Sequence, residues 1–144
     1  MHNNIVNGEN TDIILFIDDN IYCHQVANLI IANLTKFKVI NAYTGATALN
    51  LATQYDNKVK LIFLDILMPD MRGDELYKEL LKNPKLKNIP IVFQSGISEN
   101  SQNDITLLKS DNVHFLQKPY DKVQLLEVID KLTNINYNQD QINK

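Results

Sequence analysis

The feature that most constrains the fold is a repeated change of hydrophobic period along the chain. Five short runs, DIILFID (12–18), FKVINA (37–42), KLIFLD (60–65), IPIVFQ (89–94) and NVHFLQ (112–117), have the length and the β-branched or aromatic content of strands. Each is followed by a stretch with helical spacing. Residues 20–34 place Tyr22, Val26, Leu29, Ile30 and Leu34 on one expected inward face, 45–55 do so with Ala48, Leu49 and Ala52, and 74–82 with Leu76, Leu80 and Leu81. A weaker helix is expected over 99–110, anchored by Ile105 and Leu108, and a final one over 121–132 with Leu125, Ile129 and Leu132 in register. Strands alternating with helices predict a parallel sheet covered on both faces. LIFL and PIVF are continuous apolar runs rather than alternating ones, as strands buried on both sides require.

A chain of 144 residues is the size of one domain and can bury a core without disulfides or structural metal. A net charge of −3 leaves no electrostatic footprint for DNA or RNA, so nucleic acid is not an expected partner. Cys23 is the single cysteine, which rules out an intrachain disulfide and fits a reducing compartment; no CxxC or Cys/His cluster suggests zinc. MHNNIVNGEN lacks the basic and apolar regions of a signal peptide, and no apolar run approaches the length of a membrane span. The expectation is a cytoplasmic chain with a polar tail at 1–10, one domain over 11–133, and an Asn- and Gln-rich tail at 134–144.

In open parallel sheets, ligands bind outside the carboxyl ends of the strands. The residues there are Asp18 and Asp19 after the first strand, Asp65 after the third, Ser95 after the fourth and Lys118 after the fifth. Crowded carboxylates raise one another's pKa unless a cation is present. An all-oxygen set suits Mg²⁺, which keeps waters and takes few carboxylates. The same residues fit phosphoryl transfer: Asp65 as a carboxylate nucleophile, Asp19 and, through water, Asp18 on the metal, Ser95 donating to a phosphoryl oxygen, and Lys118 as a point charge. Each alone has a bland explanation. An Asp-Asp-Asn run commonly caps a helix, and Ser-Gly or Lys-Pro commonly makes a turn; only the joint placement points to a site.

FIDDN (16–20), LDILMPDMRG (64–73), FQSG (93–96) and FLQKPY (115–120), in that order, resemble the receiver domain of two-component response regulators. The resemblance spans nearly the whole organised chain. It implies a flavodoxin-like (βα)5 fold of strand order 2-1-3-4-5, with Asp65 as phosphorylation site and Mg²⁺ held by Asp19, Asp65 and the backbone carbonyl of Leu67, Asp18 assisting. It further implies Ser95, Lys118 and Phe115 as the phosphoryl-binding and switch residues, with Pro119 a candidate cis proline after the lysine. Phe115 stands where a tyrosine would offer a hydroxyl to a partner, and Leu67 and Ile97 are apolar at the positions two after Asp65 and Ser95.

No phosphodonor histidine is evident among His2, His24 and His114; His24 is expected to face out of or along its helix. The phosphoryl group must come from a histidine kinase, a histidine phosphotransfer protein or a small-molecule donor. The output partner, not identifiable from sequence, is expected on the face formed by the helix over 99–110, the fifth strand and the last helix. The chain is expected not to be an enzyme beyond its own phosphorylation and dephosphorylation. Two other readings stand beside the single-domain switch: a receiver segment of a hybrid sensor kinase or multidomain regulator, and a haloacid-dehalogenase-like phosphatase. The latter needs a second Asp two residues after the nucleophile, where this chain has Leu67.

Overall fold

The computed structural model describes residues 11–96 and 111–133. Strands β1 (Ile13–Ile17), β2 (Lys38–Ala42), β3 (Val59–Asp65), β4 (Ile91–Ser95) and β5 (Val113–Gln117) form one parallel sheet in the order β2-β1-β3-β4-β5. Helices α1 (Ile21–Leu34), α2 (Gly45–Gln54), α3 (Gly73–Leu80) and α4 (Lys122–Thr133) complete the described elements. This is the doubly wound α/β fold expected. The helix read over 99–110 and the tails at 1–10 and 134–144 lie outside the described residues.

Alternation along the strands divides the core into two layers. Leu15, Ile17, Ile62, Leu64 and Phe93 pack with Ala48, Leu76 and Leu80 of α2 and α3, while Phe16, Phe63 and Val92 pack with Ala27, Ile31, Leu125 and Ile129 of α1 and α4. Every residue of β1 and β4 is buried, as strands covered on both faces must be. Each such Ile, Leu or Phe contributes about 1.5–3 kcal/mol relative to exposure. β2 and β5 are the edges and are only part-buried. The same alternation carries Asp18, Asp65 and Gln94 onto the α1/α4 side, in phase with Phe16, Phe63 and Val92.

The expected inward face of the first helix is corrected. α1 buries His24, Ala27 and Ile31, with Cys23 and Ile30 flanking them, and leaves Tyr22 71%, Val26 56%, Leu29 66% and Leu34 53% exposed. The helix is apolar nearly all round, so two stripes satisfy the same period. The stripe facing the sheet includes Ala27, whose small side chain permits close helix–sheet approach.

His24, expected to face outward, is instead buried and fully used. Its Nε2–H donates to the Asp18 backbone carbonyl at 2.7 Å, and Nδ1 lies 2.6 Å from the Asn41 side-chain amide oxygen. The ring packs between Phe16 and Tyr43, at centroid distances of 5.0 and 4.1 Å.

Candidate functional site

The chain leaves β1 directly into Asp18, whose side chain is fully buried and surrounded by donors. Oδ1 accepts the Asn20 backbone N–H at 2.8 Å, and Oδ2 accepts Lys118 Nζ at 2.7 Å and Gln94 Nε2 at 3.3 Å. Asn20 then caps α1, its Oδ1 accepting from the backbone N–H groups of Tyr22 and Cys23. This turn leaves Asp19 exposed at the rim.

Asp65 ends β3 and is 8% exposed. One oxygen each of Asp18, Asp19 and Asp65 lie within 4.8 Å of one another, and Lys118 Nζ stands 3.8 Å from Asp65 Oδ1. Burial, then the Asp18 charge, push the Asp65 carboxyl up to about 7, with Lys118 opposing and Asp19 adding to the rise. Burial works against the Lys118 ammonium, but its Asp18 hydrogen bond and the nearby carboxylate charges outweigh that and raise its pKa. Among the described residues, three carboxylates therefore face one ammonium. An all-oxygen donor set with surplus negative charge fits a hard divalent cation.

Gly73 fixes the turn beyond Asp65. A Cβ there would lie 2.5 Å from the Asp65 carbonyl oxygen and 3.0 Å from the Ile66 Cα, while the Gly73 N–H donates to the Ile66 carbonyl at 2.7 Å. Asp70, in the same turn, reaches α2: its carboxylate accepts the Gly45 and Ala46 N–H groups at 3.0 and 3.2 Å, and these hydrogen bonds lower its pKa.

Of the residues marked from sequence, Asp18, Asp19, Asp65 and Lys118 come together, and Ser95 reaches the same rim, its carbonyl accepting the Lys118 N–H at 2.8 Å. The Lys118–Pro119 bond is cis. Phe115 is 37% exposed and stacks on Phe93 at 5.9 Å, and the Leu67 side chain is exposed. Ile97 lies outside the described residues. Sequence reasoning missed Gln94, His24 and Tyr120 as parts of the site. Gln94 did leave a signal, an amide closing the otherwise apolar run IPIVF.

The response regulator receiver domain family matches residues 14–130, and the chain belongs to that family. The two-component response regulator ORR3 of Oryza sativa is 34% identical over 107 residues, 74% of this chain and 79% of the relative. The probable transcriptional regulator ycf29 of Pyropia yezoensis is 38% identical over 96 residues, 67% of this chain but only 42% of that longer protein. Among solved structures, the receiver domain of the Pseudomonas aeruginosa sensor histidine kinase PA1611, with a magnesium ion coordinated in its active-site cleft, aligns with a TM-score of 0.73 and 20% identity, covering 85% of this chain and 98% of that one.

Proposed function

We propose that this receiver is a phosphoacceptor switch in which Asp65 takes a phosphoryl group from a histidine kinase or histidine phosphotransfer protein. The observation that carries this reading is a buried carboxylate at the end of β3, with an ammonium 3.8 Å away and two further carboxylates within 4.8 Å. In the transfer, an Asp65 oxygen attacks phosphorus, the donor P–N bond breaks, and its electron pair returns to the imidazole. Lys118 neutralises the transferring oxygens, and Ser95 donates to one of them. Asp19, Asp65 and the Leu67 carbonyl would hold Mg²⁺, with Asp18 acting through water; when bound, the ion supplies charge stabilisation to the transferring group. The magnesium in the Pseudomonas receiver supports this assignment. Phe115 would act in the switch by packing alone, having no hydroxyl.

The donor would seat on α1. Ile21, Tyr22, Val26 and Leu29 expose apolar surface on a helix with no Asp, Glu, Lys or Arg, and Tyr22 and Val26 continue into a pocket reaching Lys118. Output would use the face around β5 and α4, where Phe115 and Val123 are exposed. A receiver segment of a larger regulator or hybrid kinase is the second reading, favoured by the partial coverage of ycf29. The surrounding coding sequence decides between them.

Incubation with Mg²⁺ and a small phosphodonor is expected to label the protein with one alkali-labile phosphoryl group, absent from Asp65→Asn. Equal labelling of that variant would remove Asp65 from the role. Rapid hydrolysis of phosphate esters with no phosphoprotein would instead favour a phosphatase.

A further inference from the structure

Gln94 is a primary amide at a position where the rest of β4 is apolar up to Ser95, and its exposure is 0%. Burying an amide costs free energy unless both ends are satisfied, and here they are. Nε2 lies 3.3 Å from Asp18 Oδ2, and Oε1 accepts from the Tyr120 hydroxyl at 2.8 Å. The polarity of the chain follows from chemistry. An ionised carboxylate only accepts, so the amide must present its NH₂ to Asp18; its carbonyl then faces Tyr120, which must donate.

Asp18 Oδ2 is also the oxygen that holds Lys118, at 2.7 Å. Lys118 stands between two acids, 3.8 Å from Asp65, so added negative charge on Asp65 draws on the same ammonium. Among the described residues, Gln94 is the other side chain bonded to that oxygen. Tyr120, at the far end of the amide, lines a cavity of about 500 Å³ together with Tyr22, Cys23, Val26 and Lys118. The chain Asp18–Gln94–Tyr120 thus runs from the acid pocket to the wall of a cavity under the exposed face of α1. Burial raises the Tyr120 phenol pKa, in keeping with a retained donor proton.

We infer that Gln94 is a positioning residue whose amide fixes the Asp18 carboxylate and transmits the state of the acid pocket to Tyr120 and the cavity beside α1. The inference rests on the phosphoacceptor reading for the event that changes the pocket. Its geometry does not depend on phosphorylation, because cation binding alone also changes the charge around Asp18.

The test uses the full chain carrying tyrosine labelled with ¹³C at Cζ, which senses hydrogen bonding at the hydroxyl. Tyr120→Phe assigns the resonance by deleting it. Addition of Mg²⁺, then beryllofluoride, is expected to move the Tyr120 signal in the unsubstituted protein, and Gln94→Leu is expected to abolish most of that movement. Gln94→Leu should also weaken Mg²⁺ binding by about tenfold, as loss of a partner behind a metal ligand does. Tyr120→Phe should weaken it less, and the two substitutions together no more than Gln94→Leu alone, since both break one chain. Should Gln94→Leu fail to fold, Gln94→Met serves in its place, and the Tyr120→Phe effect on Mg²⁺ affinity is read independently.

An unmoved Tyr120 signal in the unsubstituted protein, equal movement without the amide, or strictly additive effects would each overturn the relay. Phosphodonor labelling of Asp65 in the same sample separates the two readings. Failure of labelling with a responsive Tyr120 rejects the phosphoacceptor reading and keeps the relay; labelling with a silent Tyr120 does the reverse.

Discussion

Asp65 is the residue at which the cost and the use of this site meet. Burial and the neighbouring Asp18 lift its carboxyl to about 7, so without a cation it resists ionisation over much of the physiological range. The native state then holds a proton that the unfolded chain gives up near pH 4, and the stability contributed at this residue falls as pH rises from about 4 to about 7. Asp65→Asn removes the repulsion while keeping the shape. It should stabilise the metal-free protein by roughly 2–4 kcal/mol at pH 8 and by little at pH 4, measured by urea unfolding in EDTA; an equal gain at both pH values would show that charge is not the cause. Gly73 constrains the same residue sterically. Gly73→Ala drives a methyl against the backbone of Asp65 and Ile66, and should cost about 1–3 kcal/mol, seen as a lowered urea midpoint with unchanged slope.

At the scale of elements, the sheet was legible because its strands are short continuous apolar runs, and the acid and lysine positions were legible because they terminate those runs. What could not be read was the rotation of α1. A helix that is apolar nearly all round gives two stripes of equal period, and the one that packs on the sheet contains Ala27 and Ile31. His24 was misread for the same reason, since its burial depends on hydrogen-bonding partners on Asp18 and Asn41, which meet it only in the folded state. The correction changes what the outer stripe is for. Leu29→Glu on that stripe should leave stability within about 0.5 kcal/mol, as surface changes do. It should slow transfer from a histidine kinase that phosphorylates the unsubstituted protein by roughly tenfold, the loss expected of an interface anchor. Labelling by a small phosphodonor, which needs no docking face, should be unaffected. Equal slowing with both donors would place the defect in the acid pocket instead of on α1.

At the scale of the whole molecule, the acid pocket joins parts of the chain that meet only when the sheet is formed. Asp18 and Asp19 follow β1, Asp65 ends β3, Gln94 lies in β4 and Lys118 follows β5. An unfolded chain has no such convergence, so a divalent cation held by these carboxylates would bind the native state alone, and its binding energy would add to folding stability. At a hundredfold excess over its dissociation constant, Mg²⁺ should contribute about 2.7 kcal/mol, which for a domain of this size raises Tm by roughly 8–12 °C. The sign with pH is opposite to that of the empty pocket. Below about 7 the proton on Asp65 competes with the cation, so the Mg²⁺-induced rise in Tm should be small at pH 5 and large at pH 8, while the Tm contribution of Asp65 in EDTA falls over the same interval. Calorimetric scans with Mg²⁺ and with EDTA at the two pH values measure both slopes in one series. Asp65→Asn should flatten both. A Mg²⁺ effect of the same size at pH 5 and pH 8, or one that survives in Asp65→Asn, would move the cation away from the carboxylates at the strand ends.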